Sequence, residues 1–124
     1  MSSNRQDCLA AAYESAKSRL PTGCTLDTFC AGLDGWDALP VHVSGALIGA
    51  VLSKGPELHA CIQPVAFGRW FGRQHFKLID KAIDEYGYAL TSTTTGNVAG
   101  AAFVKRLGFE KTTERDGLTV YKKV

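Results

Sequence analysis

Apolar side chains recur at two different intervals along this chain, and each change of interval marks a new element. From Asn4, an N-cap candidate with Asp7 three residues on, Leu9, Ala12, Tyr13, Ala16 and Leu20 return at helical spacing until Pro21 and Gly23 stop the helix. Leu26, Phe29, Cys30 and Leu33 predict a second, shorter helix ending at Asp34-Gly35. After the loop around Trp36, PVHVSGALIGAVLS reads as a hairpin, with Val41 and Val43 before a Ser44-Gly45 turn and Leu47, Ile48, Val51 and Leu52 after it. Gly55-Pro56 turns the chain into a third strand, Glu57 to Ile62, closed by Gln63-Pro64. A helix over 73–86 then places Phe76, Ile79, Ile83 and Tyr86 on one stripe and ends at Gly87.

Tyr88 to Thr94 is rich in β-branched and aromatic residues and predicts a strand. The helix before it makes its pairing with strand 57–62 parallel, through a right-handed crossover. Gly96-Asn97 leads into a helix carrying Val98, Ala101, Ala102, Phe103 and Leu107, with Gly108 as its terminator. The segment FEKTTERDGLTVYKKV predicts a final hairpin around Asp116-Gly117, a dipeptide suited to a type I′ turn.

At 124 residues the chain fits one domain, with a helical region over 1–38 and the sheet over 40–124. Apolar residues at 45% and charged residues at 21% indicate an ordinary soluble globular protein. A net charge of +2 gives no basis for nucleic-acid binding. Cys8, Cys24, Cys30 and Cys61 have neither C-x-x-C spacing nor a neighbouring His pair, so no zinc site or other metal is expected. With no secretory pattern and no apolar run near the roughly 20 residues of a membrane span, a cytoplasmic location with reduced thiols is expected.

The stretch that carries chemistry is the loop GRWFGR at 68–73, which rises from a strand into a helix. Unpaired backbone N–H groups and the helix dipole make such a junction a candidate anion site. Arg69, Arg73 and Lys77 add charge, although the same cluster also reads as a solvated basic helix start.

NVAGAAFVKRLGFEKT, an Asn-initiated helix with a Leu-Gly-Phe step into a strand, together with GRWFGR in its place after the third strand, resembles the GCN5-related N-acetyltransferase (GNAT) superfamily over 40–124. The resemblance implies an α+β fold: a mixed, mostly antiparallel sheet flanked by helices, here lacking a clear first strand. It also implies acetyl-coenzyme A as acyl donor and an amine as acceptor. By resemblance, backbone groups near Cys61, Ile62 and Gln63 bind the pantetheine arm. Those of Gly68, Arg69, Trp70, Phe71, Gly72 and Arg73 hold the pyrophosphate, and Asn97 orients substrate or cofactor unless it is simply a helix cap. The chain departs from the family pattern at Phe67, where Arg or Gln is usual, at Trp70, where Gly is usual, and at Val104, where many members carry a Tyr acid.

Glu57 and His59 lie two apart on one strand and project from the same face, so either could serve as general base. Their alternatives are an exposed strand end and a half-buried sheet residue. Cys61 shares that face and reads mainly as small packing material. Tyr88 and Tyr121 are replacement acids for Val104 or core aromatics. Two functions follow: acetyl-coenzyme A-dependent acyl transfer, or a GNAT-fold module that docks on a protein partner, as a phage effector or virion component would. An exposed edge strand would permit a homodimer.

Overall fold

The computed structural model describes residues 4–20, 22–63 and 70–124. In chain order these form α1 (Arg5–Ala16), α2 (Leu26–Gly32), β1 (Asp37–Val43), β2 (Ala46–Lys54), β3 (Glu57–Ile62), α3 (Arg73–Tyr86), β4 (Ala89–Thr94), α4 (Val98–Arg106), β5 (Glu110–Arg115) and β6 (Leu118–Lys123). The strands make one mixed sheet in the order β1-β2-β3-β4-β6-β5. β3 and β4 run parallel, whereas β1–β2, β4–β6 and β5–β6 are antiparallel. This is the expected α+β architecture, and among the described residues no strand precedes α1.

Contacts divide the chain into two compact units, Met1–Lys54 with Ala60–Gly72 and Gly55–His59 with Arg73–Val124. In the first, Asn4 caps α1 by accepting from the Asp7 N–H at 2.8 Å, and Thr25 caps α2 by accepting from Thr28 N–H at 3.2 Å. α1 stops at Ala16 and tightens into a 3₁₀ turn over Lys17–Arg19, four residues short of Leu20. Cys8, Leu9 and Ala12 of α1 close on Ala50 and Leu52 of β2, with Phe29, Cys30, Leu33, Trp36, Ala38 and Cys61 packed around them. The Arg5 guanidinium ties α1 to the end of α2 by donating to the carbonyls of Leu33 (2.8 Å) and Trp36. Tyr13 adds a bond from its hydroxyl to the Cys24 carbonyl (3.0 Å) and an edge contact with Phe29 at 5.6 Å.

β1 begins at Asp37, so the chain turns to strand before residue 38. Ser44 (φ 52°) and Gly45 (φ 81°) form the hairpin turn, both at positive φ as a type I′ turn requires. Val41 pairs with Gly49 while His42 pairs with Leu47, which leaves Ile48 as an extra, bulged residue on β2.

In the second unit β6 lies between β4 and β5, with Ala89, Thr119 and Tyr121 buried. Asp116 (φ 54°) and Gly117 (φ 78°) form the predicted type I′ turn. α3 is where the periodicity reading needs correction. Its buried residues are His75, Ile79 and Ala82, while Phe76 is 46% and Tyr86 49% exposed. The buried stripe is rotated by about one residue from the one the bulky side chains suggest, because small Ala82 permits closer approach than a larger side chain would.

Both sheet edges are guarded. β1 carries Pro40, tolerated because an edge strand need not donate on its outer side. β5 is exposed at every position, carries Glu110, Lys111, Glu114 and Arg115, and breaks register between Lys111 and Thr113. Charges and bulges are the features that oppose strand-to-strand pairing at an edge. No helix among the described residues is long and apolar enough to cross a membrane.

Candidate active site

β3 carries the candidate base. The Glu57 Oε2 and His59 Nε2 atoms are 3.4 Å apart, as two side chains on one face of a strand allow, and the side chains are 50% and 30% exposed. The second unit also contains the start of the parallel ladder. Glu57 pairs with Leu90, and the Leu90 N–H donates to the Pro56 carbonyl at 2.8 Å.

The end of β3 belongs to the first unit, where its backbone direction is fixed by one bond. Gln63 N–H donates to the carbonyl of bulged Ile48 at 2.9 Å. Successive residues of a strand direct their N–H and C=O groups to opposite sides. Gln63 and Cys61 therefore point their backbone groups toward β2, and Ile62 and Ala60 point theirs away from it. Cys61 is held still more closely, since a Cβ built on Gly49 (φ +155°) would stand 2.1 Å from the Cys61 carbonyl oxygen. Of the three residues expected to bind a pantetheine arm through backbone groups, Ile62 alone directs them away from β2. The Cys61 side chain packs on the α1–β2 cluster, in keeping with the packing alternative.

Gly68 and Arg69, with Phe67, lie outside the described residues. Trp70 and Phe71 are half-buried and meet edge to face, with ring centroids 5.2 Å apart. A Cβ on Gly72, just before α3, would meet nothing within 4 Å among the described residues. Arg73 and Lys77 are exposed in the first turns of α3, and neither forms an ion pair among the described residues. His75, 3% exposed, is a buried imidazole that the sequence pattern does not single out; its ring Nε2 lies 3.5 Å from Gln74 Nε2.

Asn97 acts as a cap. Its Oδ1 accepts from Gly100 N–H at 3.0 Å, its carbonyl accepts from Ala101 N–H at 3.0 Å, and its N–H donates to Thr94 at 3.0 Å. Gly100 is small for a reason, since a Cβ there would come within 2.7 Å of Asn97 Nδ2. Val104 is buried at 7% exposure and has no proton to give. Tyr88 is half-buried with the Lys122 ammonium 4.9 Å from its ring centroid. Tyr121 is 3% exposed, a core ring as one of its two readings has it. Among the described residues no group of three His, Cys, Asp or Glu side chains is placed to hold a metal ion.

No protein-family model matches the chain, and no curated protein sequence does either. Solved structures do match in fold. The ribosomal-protein-alanine N-acetyltransferase of Brucella melitensis superposes with a TM-score of 0.67 at 18% identity, over 98% of this chain and 96% of that one. The ribosomal-protein-S18-alanine N-acetyltransferase of Escherichia coli gives 0.62 at 18% identity, over 99% and 90%. The PaiA N-acetyltransferase of Thermoplasma acidophilum, solved in complex with coenzyme A, gives 0.58 at 11% identity, over 94% and 87%. With α-helices and a mixed sheet in the order described above, the chain has the fold of the GNAT acetyltransferases.

Proposed function

We propose that the chain is an acetyl-coenzyme A-dependent N-acyltransferase that passes the acetyl group directly to an amine. The observation that carries the proposal is the parallel pairing of β3 with β4 at Glu57↔Leu90, in a chain with the fold of the GNAT acetyltransferases. The amide arm of an acyl donor supplies alternating donors and acceptors of the kind a strand edge accepts. Ala60 and Ile62, aimed away from β2, are the residues of β3 suited to bind it. The acyl donor supplies an activated carbonyl; the protein supplies position, a base and charge. Glu57 or His59 takes the proton of the attacking amine, directly or through water. Gly72, the start of α3, Arg73 and Lys77 receive the diphosphate, with favourable dipole and charge.

Titration calorimetry and thermal shift with acetyl-coenzyme A test this reading. A ligand at about 100 times its Kd stabilises the native state by roughly 2.7 kcal/mol. Folded protein that shows neither heat nor shift at millimolar acetyl-coenzyme A overturns it.

One observation favours a second reading, a GNAT-fold module that binds a protein instead of the nucleotide. Trp70 puts an indole, packed on Phe71, directly before α3. If that ring fills the diphosphate's space, Trp70→Gly gains coenzyme A affinity; if the loop binds the diphosphate as it stands, the variant binds equally or less well. The sign of the change separates the two.

A further inference from the structure

The strands of the second unit line up one row of side chains. Glu57 of β3 pairs with Leu90 of β4, Leu90 with Lys122 of β6, and Lys122 with Glu110 of β5. Directly paired residues share a face of a sheet, so carboxylate, apolar side chain, ammonium and carboxylate follow one another across a single face. Leu90 is half-buried and the three charged residues are exposed, so the row is reachable from solvent.

Lys122 has two directions in which to turn along this row. Glu110 on β5 offers a carboxylate, yet the two form no ion pair among the described residues. The ammonium stands 4.9 Å from the ring centroid of Tyr88, which leads into β4, the strand between β6 and β3. Tyr88, two residues before Leu90, falls on the same face as Leu90. A cation over a ring keeps its net charge and its N–H donors for a further anion, which an ion pair with Glu110 would have used. Two strand spacings, on the order of 10 Å, separate the backbones of Glu57 and Lys122, and the ammonium is turned into that interval.

We propose that this row selects the acceptor, an amine that carries a carboxylate close by in the same molecule: a free amino acid, or a peptide amino terminus with an acidic residue beside it. The inference rests on the acyltransferase reading above. The reacting amine meets Glu57 and His59, the carbon frame of the acceptor crosses Leu90, and its carboxylate receives the Lys122 ammonium. Each charge of the acceptor thus faces its opposite, whereas a polyamine would bring a second cation against Lys122. Glu110, one strand further on, repels a carboxylate carried past Lys122 and so keeps the two acceptor charges near each other.

The test measures transfer from acetyl-coenzyme A by wild type, Lys122→Gln, Lys122→Glu and Lys122→Arg. The acceptors are glutamate, the carboxy-amidated dipeptides Ala-Asp and Ala-Lys, and spermidine, with calorimetric affinity for acetyl-coenzyme A and Tm read alongside. Wild type is expected to prefer glutamate or Ala-Asp to Ala-Lys and spermidine, and the better of the first two tells a free amino acid from a peptide terminus. Exposed ion pairs are weak, so Lys122→Gln raises KM for the preferred acceptor about fivefold. Lys122→Glu raises it further and shifts preference toward spermidine, Lys122→Arg keeps the wild-type order, and kcat, donor affinity and Tm stay at wild-type values in all three. Acceptor preference within twofold of wild type in both Lys122→Gln and Lys122→Glu overturns the proposal. So does a loss equal for all four acceptors, which marks a structural role, and so does wild type that prefers Ala-Lys or spermidine. Wild type that binds acetyl-coenzyme A but acetylates neither acidic acceptor overturns the acceptor class and leaves donor binding standing. Wild type that does not bind the donor removes the acyltransferase reading itself, and this inference with it.

Discussion

The carbonyl oxygen of Cys61 occupies the space that a side chain at Gly49 would need, 2.1 Å from an ideal Cβ. The two strands meet this closely beside the Ile48 bulge, and Gly49 holds a φ of +155° that other residues rarely adopt. Gly49→Ala is therefore expected to cost about 3 kcal/mol or more, since backbone strain and overpacking each contribute about 1–3 kcal/mol. In urea or thermal unfolding this is a Tm lower by roughly 10 °C.

Gly72 is the opposite case. Its would-be Cβ meets nothing within 4 Å among the described residues, so Gly72→Asp should leave unfolding within about 0.5 kcal/mol of wild type. A carboxylate beside the start of α3 should nevertheless abolish the thermal shift given by acetyl-coenzyme A, through repulsion of the diphosphate. Normal binding by this variant would show that the diphosphate does not sit there.

The phase of α3 can be checked by two substitutions. Ile79→Ala, at a residue 4% exposed, should cost about 2–5 kcal/mol, whereas Phe76→Ala, at 46% exposure, should cost about 1 kcal/mol or less. A larger loss at Phe76 than at Ile79 in denaturant titrations would contradict the packing described.

Glu57 and His59, 3.4 Å apart, should act as one proton-accepting unit. Glu57→Gln and His59→Ala are each expected to lower the transfer rate, the larger effect being about 10² to 10⁴. The double variant should be no slower than the slower single one, because coupled groups are not additive. Steady-state rates with spermidine read this directly, and unchanged rates in both single variants would remove the pair from the mechanism.

Burial and, after it, the Asp7 carboxylate push the Cys8 thiol above its ordinary value of 9.0, against the lowering effects of its backbone hydrogen bond and Arg5. The native state therefore holds this proton more tightly than the unfolded chain. The stability so gained is complete below about pH 9 and is lost as pH rises through the native value. Wild type should lose stability above pH 9 more steeply than Cys8→Ala. With a disulfide reagent at pH 8, the half-buried Cys24, Cys30 and Cys61 should react before Cys8.

What was legible in the sequence was what neighbours in the chain decide. Asn4 and Asn97 cap their helices through residues three positions on, and Ser44-Gly45 and Asp116-Gly117 set their turns by their own backbone preferences. The two motifs were enough to imply the fold. Long-range matters left no such mark. Nothing near Gly49 announces a carbonyl twelve residues later, and nothing near Arg5 announces the Leu33 and Trp36 carbonyls it binds. The direction of the Cys61, Ile62 and Gln63 backbone depends on the Ile48 bulge, and a one-residue change of register would exchange their roles. His75 carries no such mark either, because bulk singles out its neighbour Phe76 as the inward residue.

β6 runs between β4 and β5, and this gives the chain an order of assembly. During synthesis β4 and β5 leave the ribosome before the strand that joins them, so two ladders stay open until Leu118–Lys123 emerges. The hairpin at Asp116-Gly117 brings β6 onto β5 through local contacts, and the non-local ladder to β4 then closes as the later step. A chain lacking Leu118–Lys123 would thus leave the edge of β4 that faces away from β3, and the β6-facing edge of β5, without their ladders.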